Sequence, residues 1–211
     1  MKTDDLIQRL AADTGSRPAP AAALWLAVGA AIVLAAAAML LSVGPRPDLA
    51  TAAGTWRFLA KAAVMVTLAA TSLLVLRRAI YPEGLAEVRL WAMLAAPALL
   101  LAMVAIELML MPSTSWGAAA TGTNWASCLV LVPAFGILPL AVALWAIRQG
   151  APTRPMLTGF IAGLLSGGIA ATAYATHCPD DSPLFVVLWY PVGILLLGIA
   201  GAVLGRRVLR W

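Results

Sequence analysis

The chain has 211 residues, of which 63% are hydrophobic and only 11% charged, and its mean hydropathy is +0.94. Soluble domains run about 45–50% apolar and about 25% charged, so an ordinary soluble enzyme is excluded, as is a disordered chain, which needs low hydrophobicity and high net charge. The formal charge is +5, from 14 Lys+Arg against 9 Asp+Glu; the basic residues flank apolar segments, where they report membrane topology rather than nucleic-acid binding.

The first twenty residues form an N-terminal amphipathic segment. Thr3 suits a helix N-cap, and Asp4 and Asp5 suit its positive end. Leu6, Ile7 and Leu10 fall on one face. So short a helix is marginal alone in water and needs a surface to dock on. Two acidic residues at its start argue for a protein partner rather than for a lipid anchor, which favours Lys and Arg.

Six apolar stretches follow, at 21–43, 58–76, 90–111, 127–147, 155–176 and 184–204. Each is close to the ~20 residues that cross a bilayer core. They predict an all-α polytopic membrane protein, with a six-helix bundle over 21–205 and a basic tail at 206–211. The first stretch is too long for a signal-peptide core, and a polar segment precedes it. Continuous Leu/Ala-rich runs exclude a transmembrane barrel, which would alternate. Eleven of the fourteen Lys and Arg fall in the N-terminal segment, the 2–3 loop, the 4–5 loop and the tail. That asymmetry predicts that both termini are cytoplasmic.

Lys61 and Glu107 are the charges inside spans. Both lie near the outer ends, where they could snorkel to the interface or pair with each other. Pro133 and Pro139 interrupt the fourth span. Gly159, Gly163 and Gly167 in the fifth span, with Gly201 and Gly205 in the sixth, are spaced four apart and predict close helix packing, within the chain or in a homo-oligomer.

The predicted orientation puts Cys128 at the outer end of the fourth span, and His177 and Cys178 in the outer 5–6 loop. Cys178 stands beside His177, Asp180 and Asp181. Pro179, Ser182 and Pro183 mark this run as a turn, and Asp180 or Ser182 could cap the sixth span. The turn does not explain the thiol. Three roles stay open for the two cysteines: inert packing, a disulfide, or a soft-metal site of both thiolates helped by His177 or Asp181. No catalytic residue and no cofactor motif is evident.

Three stretches carry a resemblance. They are Lys2-Thr-Asp-Asp-Leu-Ile7; Cys128 with Pro133, Pro139 and Arg148-Gln-Gly-Ala-Pro-Thr-Arg-Pro155; and His177-Cys-Pro-Asp-Asp-Ser-Pro-Leu-Phe185 with Trp189-Tyr190 and Gly205-Arg-Arg-Val-Leu-Arg-Trp211. In these the chain resembles the NrsF family, six-span inner-membrane anti-sigma factors that negatively regulate an ECF sigma factor in Gram-negative bacteria. The acidic pair, which in the family often begins with Glu, is Asp180-Asp181 here. The resemblance implies a sigma factor held at the cytoplasmic face, away from RNA polymerase and with no direct nucleic-acid contact by this chain. It also implies release when external heavy-metal or oxidative stress acts on Cys128 and Cys178. Two rival classes fit less well. A small-solute or metal transporter would place charges at the midplane of broken helices. A membrane thiol–disulfide oxidoreductase would ordinarily carry a second cysteine pair.

Overall fold

The structure is a computed structural model, and it describes residues 3, 5, 7, 8, 20–82, 84 and 90–209. Among these there is no strand. Six helices are long and apolar enough to cross a membrane: α1 (Pro20–Ser42), α2 (Trp56–Ala79), α3 (Leu90–Leu110, a 3-10 turn continued as α-helix from Ala95), α4 (Trp125–Ile147), α5 (Pro155–Ala175) and α6 (Pro183–Val208). They coincide with the six predicted spans to within a few residues. The last helix runs on through Arg206 and Arg207 before it stops. Thr3, Asp5, Ile7 and Gln8 are helical and exposed; Asp4, Leu6 and Leu10 lie outside the described residues.

Local signals start the helices. Thr55 accepts the Phe58 N–H through its hydroxyl, and Ser182 accepts the Leu184 N–H. Pro155 and Pro183 open α5 and α6, where a missing N–H costs nothing. α5 is the most buried helix and α3 the least. The small residues of α5 explain its place: α1, α2, α4 and α6 all pack on it, while α3 packs mainly on α2 and α6.

The glycine motifs join α5 to α6. A Cβ on Gly159 would collide with the Gly201 carbonyl, and one on Gly163 with the Leu197 carbonyl. The two backbones therefore touch, as expected of small residues spaced four apart, and the contact lies within one chain.

The 1–2, 3–4 and 5–6 loops gather at one end of the bundle, where the Arg46 N–H donates to the Thr176 carbonyl (3.0 Å). At the opposite end the Ala151 N–H, in the 4–5 loop, donates to the Ile80 carbonyl that follows α2 (2.9 Å). Leu209, after α6, packs there with Leu24, Ile80 and Ile147. This second end presents Arg77, Arg78, Arg148, Arg154, Arg206 and Arg207, all exposed.

Candidate functional site at the 5–6 loop

Cys178 follows the last turn of α5, its N–H donating to the Tyr174 carbonyl (3.0 Å). Cys128 lies in the first turn of α4, its N–H donating to Asn124 (2.9 Å). Both are free thiols with no exposed surface. They share one buried cluster with Tyr174, Phe185, Val186 and Tyr190, and are near enough to act on each other electrostatically. The Tyr174 and Tyr190 rings are 6.1 Å apart, and Phe185 meets Tyr190 edge-on. Both tyrosine hydroxyls are buried within this cluster. Burial pushes the Cys178 thiol up, and the nearby Lys61 charge opposes it.

The residues after Cys178 are fastened one by one. The Asp180 carboxylate accepts the N–H groups of Thr123 and Asn124, at 3.1 and 2.8 Å, just where the chain enters α4. Gly122, with φ of 59°, makes this approach possible: a Cβ there would meet both the Phe185 ring and the Asp180 carboxyl. Asp181 joins two cations, Lys61 Nζ at 2.5 Å and Arg46 Nη1 at 2.6 Å. Ser182 donates its hydroxyl to Glu107 (3.2 Å), which also pairs with Arg57 (3.0 Å). His177 Nδ1 donates to the Gly44 carbonyl (2.8 Å).

Lys61 and Glu107 are thus both buried, and they neither snorkel nor pair with each other: Lys61 takes Asp181, Glu107 takes Arg57. At this end every described Lys or Arg (46, 57 and 61) has a carboxylate partner. Arg46 also grips the exposed Asp48, whose carboxyl its guanidinium holds below the usual range, while the Arg46 pKa is raised.

Of the predicted site residues, the structure brings Cys128 and Cys178 into one cluster. It keeps His177, Asp180 and Asp181 in the same loop but commits each to another partner. Among the described residues, no group of three or more His, Cys, Asp or Glu side chains is arranged to hold a metal ion. Sequence reading did not find Arg46, Lys61 or Glu107 as partners of this loop, nor Tyr174 and Tyr190 around the thiols. A signal for the first was present: the 5–6 loop has two acids and no base, and the start of α2 has bases without acids.

A family model described as NrsF, negative regulator of sigma F, matches residues 10–211. The chain belongs to the NrsF family. It is 39% identical over the full length of both chains to the anti-sigma-F factor NrsF of Caulobacter vibrioides, and 36% identical over the full length of both to a probable anti-sigma-F factor NrsF of Azospira oryzae. No solved structure matches it. The NrsF match covers α1 to α6 and the whole clamped loop, and it begins within the N-terminal segment, after Asp4, Asp5, Leu6 and Ile7.

Proposed function

We propose that this protein is a multi-pass anti-sigma factor of the bacterial inner membrane with both termini in the cytoplasm. It holds an ECF sigma factor at the cytoplasmic face and releases it when heavy metals or oxidants act on Cys128 and Cys178 from the periplasmic side. The role is regulatory, with no catalytic step assigned to any residue. Family membership supports the anti-sigma role, and the six apolar helices and the exposed arginine end support the placement. The observation that carries the sensing is the meeting of two free thiols, 50 residues apart, in one buried cluster beneath a loop fastened to three other elements. Either a disulfide or a soft-metal ion joining both thiolates would tie α4 to the 5–6 loop. The sigma factor would be met by the N-terminal segment, with Leu6, Ile7 and Leu10 as the apolar contact and Asp4 and Asp5 steering basic surface.

Recovery of the sigma factor with purified membranes tests this. Cys128→Ser and Cys178→Ser should each retain the sigma factor and no longer release it on exposure to oxidant or cadmium, each as severely as the double change. Leu6→Ser with Leu10→Ser should lose the sigma factor without any inducer. A doubly substituted Cys protein that still releases normally would leave both thiols as packing residues.

A further inference from the structure

Lys61 differs from every other group that holds the 5–6 loop. Its side chain is wholly buried, and its ammonium spends its hydrogen bonds on that loop alone. It donates to the Cys178 carbonyl (2.9 Å) and the Asp180 carbonyl (3.4 Å), and pairs with the Asp181 carboxylate. The space beside it, between Val64, Leu100, Met103 and Val186, is too small for a water molecule. An ammonium in such surroundings stays only while those acceptors surround it. Arg46 also reaches the Cys178 carbonyl (3.3 Å), from the 1–2 loop. Lys61 sits on α2, a helix of 24 residues, so a displacement larger than its side chain can follow is passed to that helix.

The far end of α2 is fastened too. Ile80 gives its carbonyl to the Ala151 N–H, and a Cβ on Gly150 would collide with that same oxygen. Arg77 and Arg78 stand in the last turn of α2, with Arg148 and Arg154 at the ends of the loop that Ile80 grips. One helix therefore joins the backbone of Cys178 to the arginine-rich end.

We infer that Lys61 is a positioning residue through which Cys178 acts on the opposite face: it fastens the Cys178 backbone to α2, and α2 acts as a strut that sets the 4–5 loop and its arginines. The inference rests on reading Cys178 as the sensor and the arginine end as the sigma-factor side. Joining the Cys178 thiol to Cys128, by a disulfide or a soft-metal ion, moves the side chain within the Tyr174–Phe185–Tyr190 cluster. The carbonyl turns with it, and Lys61 must either lose its acceptors or carry α2 along.

Lys61→Met and Lys61→Arg, each in the full-length protein in native membranes, test it. The readings are the amount inserted, a sigma-dependent reporter without inducer, and the rate of maleimide labelling at Cys178, located by peptide mass spectrometry. Lys61→Met should insert, raise the reporter by about tenfold or more, since removing one partner of a buried pair shifts an equilibrium by over a decade, and label Cys178 faster. Lys61→Arg should behave as the wild type. Loss of the Lys61 charge alone would slow labelling, because that charge lowers the thiol; faster labelling therefore reads loosening of the loop. Should Lys61→Met fail to insert, Asp181→Asn replaces it and is read by the reporter alone, where a basal signal like the wild type's overturns the inference; loss of that carboxylate would itself speed labelling. Wild-type labelling, or faster labelling with full repression, overturns the inference. A Cys178→Ser protein that still responds to oxidants would overturn the sensing role instead, which these readings keep separate.

Discussion

Cys178 is an unusual thiol for an outlying loop: it has no exposed surface, and burial outweighs the Lys61 charge in setting its acidity. The sign of the consequence is definite. The folded state favours the protonated thiol, so this group's contribution to stability is complete below the ordinary thiol range and is lost as pH rises through the raised value. Alkylation requires the thiolate. The rate of iodoacetamide labelling at Cys178 should therefore keep rising at pH values where a free cysteine peptide has levelled off, and denaturant should bring the two profiles together. A Cys178 profile that superimposes on the peptide would mean that the loop opens freely. Asp48 shows the opposite sign on the same network. Its carboxyl is held low by Arg46, so its contribution is present above the ordinary carboxylate range and lost as pH falls through the lowered value. Being exposed, it is screened by solvent and should matter little.

Among the helices, the seam between α5 and α6 should be the least tolerant element. At Gly159 the obstacle to a Cβ is backbone, which cannot rotate away. Gly159→Ala should cost about 1–3 kcal/mol or more, the range for overpacking. At Gly29 on α1 nothing lies within reach of a new Cβ, so Gly29→Ala should be neutral or stabilise by roughly 0.5–1 kcal/mol through helix propensity. Thermal unfolding in mild detergent distinguishes the two. The seam was legible in the sequence, as were all six spans, because length, hydropathy and a four-residue spacing are local properties. The network around Cys178 was not. Asp180 was a candidate cap for α6, beside it in sequence; it anchors the entry to α4 instead, and Ser182 takes the cap. Lys61 and Glu107 stood out as costly charges, yet their partners lie on other elements, Asp181 on the 5–6 loop and Arg57 on α2. Only the packing of α2, α3 and the loop decides such pairings, and no periodicity encodes it.

Across the whole molecule, charge is divided in two ways. At the loop end carrying Cys178 the described bases are all paired, while six described arginines at the opposite end are exposed. Exposed arginines resist translocation, and this should orient the bundle. Alkaline-phosphatase fusion at residue 211 should be inactive, and fusion near Gly122 active; the reverse pattern would put both thiols on the cytoplasmic side and remove their access to external stress.

The Asp180 anchor also bears on biogenesis. The residues that lead into α4 receive their carboxylate from a position 56 or 57 residues later in the chain. A nascent chain emerges from its N-terminus onward, so α4 is made before the carboxylate that satisfies its leading N–H groups. Asp180 reaches them only when α5 has formed and the following turn has folded back. Until then Cys128 has no partner thiol and no tyrosine cage. The two-thiol cluster is therefore assembled late, and a partly synthesised chain carries Cys128 without the residues that enclose it.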